Sequence, residues 1–282
     1  DRPEGMSVVD RGPAEGDSLT DRIEAWGADL LGERAGADGF PLLIKLIDSR
    51  KDLSIQVHPN DATAARYGGE AKTEMWYILD ADDEASVYAG LKPGTGPEEF
   101  EQAIEAGTAE RRVVRYPVRP GDATFMPGGR VHAIGAGCLI LEVQQNSNTT
   151  YRIYDWGRVG PDGQPRELHI KQAFEVIEWD DDTPARIEGR RMGFLGDNEL
   201  WEILTCDYFR LERLLLKESW PSLTDGQSFH ALFVARGKVE IGWSGESIPL
   251  ECGRSCLIPA RLGEYEIRSP AGEADVMRIT LP

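Results

Sequence analysis

The chain reads as mainly β: two jelly-roll β-barrel domains in tandem with a few short helices, the second barrel degenerate. Three observations carry this. Short runs of apolar and alternating residues recur along most of the chain, divided by turns that use 31 glycines and 17 prolines. One block concentrates those turn residues around a histidine: Gly121-Asp-Ala-Thr-Phe-Met-Pro127-Gly-Gly129-Arg-Val-His132. Its opening, a glycine and a proline separated by five residues, returns 132 positions later as Gly253-Arg-Ser-Cys-Leu-Ile-Pro259. At 282 residues there is room for two such domains.

The elements follow in order. Residues 1–20 are rich in Gly, Asp and Pro and read as loop, and a start at Asp1 points to a truncated or processed end. Asp17-Ser-Leu-Thr-Asp opens a helix to about Leu31, with Ser18 or Thr20 as N-cap. Pro41 to Asp48 is an apolar strand, and Leu53-Ser-Ile-Gln-Val-His58 an alternating one ended by Pro59. Asn60 caps a short helix over 61–67; strands follow at 74–79 and 85–91. Pro97 to Gly107 is a helix with proline at its start and glycine at its end. From Val113 to Tyr154 the pattern is short strands and tight turns, and a last helix spans 169–178. The acidic, Gly-rich stretch 179–199 reads as a linker between a first domain, 1–178, and a second, 200–282. In the second, strands are expected at 208–217, 229–235, 239–243, 255–258, 265–268 and 276–281.

Composition narrows the function classes. A formal net charge of −18 excludes a nucleic-acid partner, which needs a basic footprint. No apolar run approaches the ~20 residues of a membrane span, and no secretory signal is visible. Four cysteines, at 138, 206, 252 and 256, form no Cys-x-x-Cys pair and read as reduced, mostly buried thiols of a cytoplasmic protein.

Alternate strand residues share a face. Ser54, Gln56 and His58 therefore point one way and Leu53, Ile55 and Val57 the other. By the same rule Lys72, Glu74 and Trp76 share a face if their strand begins by Lys72, as do Glu142 and Gln144. With His132 after its turn, the polar faces converge on an amide, two imidazoles and a carboxylate. That set suits one divalent ion, zinc or a similar metal. His169 and His230 lack partners at ligand spacing and read as structural. In the second block the positions of Gly129 and His132 fall on Arg261 and Glu264, with no Gln-x-His before them. The second domain is thus expected to keep the barrel turn and bind no metal.

The Gly-x5-Pro-x-Gly-x2-His spacing resembles the second signature of the cupin barrels. Leu53-Ser-Ile-Gln-Val-His-Pro-Asn-Asp61, Lys72-Thr-Glu-Met-Trp-Tyr77 and the run His132…Glu142…Arg152, spaced ten and ten, are similar to the type I mannose-6-phosphate isomerases in their short bacterial form. The resemblance covers most of 40–178 and, more loosely, the C-terminal strands. It implies metal ligation by Gln56, His58, Glu74 and His132. It implies Arg152 as the catalytic arginine over the substrate, Ser54 and Lys72 as contacts to the sugar phosphate, and Glu142 as a pocket carboxylate. The expected activity is interconversion of mannose 6-phosphate and fructose 6-phosphate by proton transfer through a cis-enediol, in a monomer or homodimer. Glu142 is the candidate base, with a ligated water or His58 as alternatives. Two other readings stand beside this one. A cupin oxygenase would hold iron at the same ligands, but would not need the cations Lys72 and Arg152. A non-catalytic carbohydrate-binding or regulatory cupin would keep the metal for structure.

Overall fold

The protein is described here as a computed structural model covering residues 5–36, 39–160 and 163–282. It divides into two compact units. One spans residues 43–187; the other joins 188–282 to the described part of 1–42.

The first unit is built on ten strands: β1 (Leu42–Ser49), β2 (Ile55–Val57), β3 (Glu74–Ala81), β4 (Ser86–Leu91), β5 (Val113–Pro117), β6 (Ala123–Met126), β7 (His132–Ile134), β8 (Cys138–Gln145), β9 (Tyr151–Tyr154) and β10 (Arg186–Ile187). They form two sheets, ordered β1-β8-β3-β6-β10 and β5-β4-β7-β2-β9. The architecture is a jelly roll of two sheets, not a closed cylinder. One core cluster joins them through Trp76, Ile78, Val87, Met126, Ile134 and Ile140. A second lies on the other side of β2, where Ile55, Val57, Ala133 and Ile153 pack against Phe100, Ala173 and Val176. Phe100 belongs to a helix at Pro97–Glu105, and Ala173 and Val176 to one at Ile170–Val176. Burial of such side chains, each worth about 1.5–3 kcal/mol, pins the register of β2. A one-residue slip would turn Gln56 into the apolar layer.

The second unit carries β11 (Arg190–Leu195), β12 (Asn198–Thr205), β13 (Arg210–Leu216), β14 (Ser219–Leu223), β15 (His230–Arg236), β16 (Lys238–Trp243), β17 (Glu246–Glu251), β18 (Ser255–Ile258), β19 (Glu264–Arg268) and β20 (Ala274–Thr280). Its sheets run β11-β12-β13-β20-β15-β18 and β14-β19-β16-β17. The order β13-β20-β15-β18 repeats β1-β8-β3-β6, and β14-β19-β16-β17 repeats β2-β7-β4-β5. The internal repeat is therefore a repeat of topology, not only of one turn.

Several expectations need correction. Residues 179–199 are not a linker: β10 and β11 lie wholly within them and β12 begins there. Asp181 also makes a bidentate contact to Arg130, at 2.6 and 2.9 Å. The first domain does not begin at residue 1. The expected helix to Leu31 breaks at Gly27, whose φ of 48° suits glycine, into α1 (Leu19–Trp26) and α2 (Ala28–Leu31). Ser18 is the cap, its hydroxyl accepting from Asp21 N at 3.0 Å. The carbonyls of Leu30 and Leu31 then accept from Ala260 N and Phe229 N, at 2.9 and 3.1 Å, which ties this arm to the C-terminal unit. Strands β14 and β17 were not expected because each contains a proline, Pro221 and Pro249. Both lie at sheet edges, where a missing N–H costs no ladder bond. Of the cysteines, Cys252 is exposed. Lastly, Glu264 is not the structural counterpart of His132. It is exposed, while its neighbour Tyr265, opposite Ser222, is the first buried residue of β19.

Candidate metal centre

Register assembles the site. Gln56 lies opposite His132 on one side and Arg152 on the other, so all three share a face. On the facing sheet Glu74 lies opposite Gln144 and Trp76 opposite Glu142. The turn before His132 is pressed onto the residues after His58. Gly129 N donates to His58 O at 2.7 Å, and a Cβ on Gly128 would sit 2.6 Å from Asn60 Cα. Only a glycine permits that approach, which explains the Pro-Gly-Gly run.

His58 Nδ1 donates to Thr149 O and His132 Nδ1 to Arg130 O, both at 2.8 Å. A carbonyl can only accept, so each neutral ring keeps its lone pair on Nε2. Those two nitrogens face each other at 3.2 Å. Gln56 brings its amide to 3.5 Å from His58 Nε2 and 3.3 Å from His132 Nε2. The amide is nearly symmetric, and half a turn presents Oε1 to the same point. Glu74 Oε2 stands 3.5 Å from His58 Nε2, and Oε1 stands 3.3 Å from His132 Nε2. Both Glu74 oxygens are buried without a hydrogen-bond partner. Buried lone pairs with nothing between them are costly. A tetrahedral ion with bonds of about 2.0–2.1 Å sets its ligands about 3.3 Å apart, close to every separation seen here. The residues fit a metal.

Electrostatics agree. Burial pushes the His58 imidazole well below its ordinary value, and the Lys72 ammonium adds to this. His58 is thus neutral and free to ligate. For Glu74 burial alone would raise the carboxyl, but Lys72, 3.1 Å away, and the two histidines together outweigh it and hold the group well below the usual range.

The remaining expected residues lie around this centre. Ser54 Oγ donates to Gln56 Oε1 at 3.4 Å. Lys72 precedes β3 rather than belonging to it, yet its ammonium is buried against Glu74. Its charge faces the ligand set, not open solvent. Glu142 has both oxygens engaged: Oε1 accepts from Lys45 Nζ and Oε2 from Trp76 Nε1, each at 2.9 Å. Arg152 Nη1 donates to Glu167 O at 2.7 Å, while Nε is buried without a partner. Burial lowers the Arg152 guanidinium, and Arg166 and Arg158 add repulsion. Those two arginines grip the buried Asp155. His169 Nδ1 accepts from Arg152 N at 3.2 Å, and His230 pairs with Tyr265 OH at 2.7 Å.

Sequence reasoning missed Lys45 and the arginine group. The signal for Lys45 was present: it is the one cation in Leu42-Leu-Ile-Lys-Leu-Ile47. In the second unit the pair recurs with its charges exchanged, as Arg278 Nε donates to Glu212 on the neighbouring strand at 2.8 Å.

Comparison with known proteins decides the family. A model described as "Phosphomannose isomerase type I, catalytic domain" matches residues 2–89, and "Mannose-6-phosphate isomerase, cupin domain" matches 201–280. The mannose-6-phosphate isomerase ManA of Bacillus subtilis is 39% identical over 272 residues, 95% of this chain and 84% of that protein. The chain belongs to the type I phosphomannose isomerases. The mannose-6-phosphate isomerase of Streptococcus mutans is 42% identical over 62% of this chain and 55% of that protein. A crystal structure of the mannose 6-phosphate isomerase from Bacillus subtilis superposes with a TM-score of 0.87 at 30% identity, covering 98% of this chain and 86% of that one. The residues matched by the cupin-domain description lie in the C-terminal unit, whose strand order repeats that of the unit carrying the candidate centre. No helix among the described residues is long and apolar enough to cross a membrane.

Proposed function

We infer that this phosphomannose isomerase family member interconverts mannose 6-phosphate and fructose 6-phosphate, with one divalent ion, zinc, held by Gln56, His58, Glu74 and His132. The carrying observation is the convergence of imidazole, amide and carboxylate donors, with both Glu74 oxygens buried and, beyond the ion pair to Lys72, without a hydrogen-bond partner. Two nitrogens and two oxygens suit zinc. When bound, such an ion polarises the sugar carbonyl and stabilises the negative charge of the enediolate.

The chain's own residues supply the rest. Arg152 shares the face of Gln56 and His132, and its unpartnered Nε is available to the developing oxyanion. Lys72 keeps Glu74 ionised and places positive charge beside the substrate. Ser54 orients Gln56 and reaches the sugar phosphate. Arg158 and Arg166 add a positive field near Arg152 that draws a phosphate dianion to an otherwise acidic protein. Glu142 carries the proton between C1 and C2, Lys45 and Trp76 fixing its position. Four free cysteines fit work in the reducing cytoplasm.

The test is a coupled assay with mannose 6-phosphate on purified protein, before and after chelation and after zinc is returned. Turnover lost on chelation and recovered with zinc is expected. A metal-loaded protein with no turnover on any hexose 6-phosphate would leave the carbohydrate-binding reading in its place.

A further inference from the structure

We propose that His169 is a positioning residue for Arg152: with the carbonyl of Glu167 it closes a clamp on the open edge of β9 that fixes where the guanidinium sits. The inference rests on the reading of Arg152 as the arginine that meets the developing oxyanion. β9 ends its sheet, with β2 as its neighbour. On an edge strand alternate N–H and C=O groups face away from the sheet and need other partners. At Arg152 both find them in His169. Arg152 N donates to His169 Nδ1 at 3.2 Å, and Arg152 O accepts from His169 N at 2.7 Å. The side chain is held by the same segment, since Nη1 donates to Glu167 O at 2.7 Å.

Three features mark this contact as more than loop packing. First, His169 stands at the N-cap of the helix Ile170–Val176, a place that favours Ser, Thr, Asp or Asn because their short side chains bond the first turn. The imidazole turns to β9 instead. Second, a backbone N–H only donates, so His169 Nδ1 holds a lone pair and the ring proton sits on Nε2. That is the opposite tautomer to His58 and His132, whose Nδ1 atoms donate to carbonyls. Third, the clamp is anchored at both ends. His169 O accepts from Ala173 N at 2.8 Å, and Ala173 and Val176 share a core cluster with Ile55 and Val57 of β2. On the other side Arg166 Nε donates to Asp155 Oδ2 at 2.7 Å, which fixes the residue before Glu167. The Tyr151 ring lies beside the imidazole, with centroids 6.3 Å apart.

The clamp spends Nη1 and leaves Nε, buried and unpartnered among the described residues, on the guanidinium. Arg152 lies opposite Gln56 in the ladder, so a shift of its backbone moves the guanidinium relative to a proposed metal ligand. Misplacing such a group by about 1 Å can cost about a hundredfold in rate. Loss of the acceptor at His169 therefore acts on kcat through Arg152.

The experiment is a double-mutant cycle on the metal-loaded protein: wild type, His169→Leu, Arg152→Ala and the double variant. His169→Asn is the rescue, since asparagine Oδ1 falls near the place of Nδ1. Circular dichroism and metal content check that each variant is folded and loaded. His169→Leu should lower kcat for mannose 6-phosphate by about tenfold to a hundredfold, with KM within about threefold. Asparagine should recover most of that rate. In the Arg152→Ala background His169→Leu should change kcat by less than about twofold, because the group it positions is gone. In parallel, NMR of the ring nitrogens reads the tautomer. Four histidines are present, and the His169 signals are those lost in His169→Leu. A proton on Nε2 and a bare Nδ1 are expected. Four results overturn the clamp: an equal fall in kcat in both backgrounds, a wild-type rate in His169→Leu, no recovery with asparagine, or a ring proton on Nδ1. Arg152→Ala turning over at the wild-type rate ends the role of Arg152 and the clamp with it. A wild type without turnover overturns the isomerase reading instead, and the ring spectrum then decides the clamp alone.

Discussion

Asp181→Asn tests whether the segment at 178–183 holds the metal-binding unit together. Arg130 and Asp181 form a bidentate pair with side chains 1% and 11% exposed. The guanidinium is otherwise satisfied by the carbonyls of Phe125 and Thr183. Removing one partner of a buried pair costs about 3–5 kcal/mol, because the other charge is stranded. Two carbonyls remain, and asparagine can still accept one bond, so the lower end, about 3 kcal/mol, applies. For a unit of this size each kcal/mol moves Tm by about 2–4 °C, giving a fall of roughly 6–12 °C. The effect should depend on pH. Burial alone would raise the Asp181 carboxyl, but Arg130 outweighs it and holds the group below its ordinary value of 3.8. A depressed carboxyl contributes fully above its unfolded value and loses that contribution as pH falls through the folded one. The gap between wild type and variant should therefore be constant from about pH 5 to 8 and shrink below about pH 4. Urea denaturation at pH 7 and at pH 3.5 measures both points. A difference under about 1 kcal/mol at pH 7, the size of a solvent-exposed pair, would refute the reasoning.

Three further outcomes are expected. His132→Ala should lower bound metal, measured by elemental analysis, from about one ion per chain to under about a tenth, while far-UV circular dichroism is unchanged, since one ligand of a four-coordinate site is gone. Gly128→Ala should destabilise by about 1–3 kcal/mol and reduce metal occupancy, because its Cβ would meet Asn60 Cα at 2.6 Å and Pro59 O at 2.7 Å, next to His58; thermal melts and metal titration read both. Arg152→Ala should cut kcat by about 10²–10³ with metal retained, whereas Lys72→Met should raise the Glu74 carboxyl, so that metal is released at a higher pH on acidification.

Much of the fold was legible because it rests on local pattern. The alternation in Leu53–His58 put Ile55 and Val57 in the core and Gln56 at the site. The glycine and proline spacing marked the turn that carries His132. What escaped depends on partners distant in sequence. Asp181 looked like one more solvated acid until Arg130, 51 residues away, was seen to need it. Lys45 is an anomaly in an apolar strand, and its meaning lies in Glu142, 97 residues on. Prolines hid β14 and β17, since sequence does not say which strands are edges. The His132 counterpart was placed one residue off because a fixed offset of 132 ignores the register that turns Tyr265 inward.

The discontinuous C-terminal unit has a consequence for synthesis. Its first elements, α1 and α2, leave the ribosome early, but the groups they bond to, at Phe229 and Ala260, come roughly two hundred residues later. At about 5–20 residues per second, the wait is on the order of ten to fifty seconds. Residues 43–187 are complete well before then. The nascent chain thus passes through a stage in which its metal-binding half can close while a short amphipathic arm trails unclaimed. Leu30 and Leu31, buried in the finished protein, are then open to chaperones. Slow translation after residue 187 would lengthen that exposure, whereas a break in the chain near 42 would remove it from the metal-binding half.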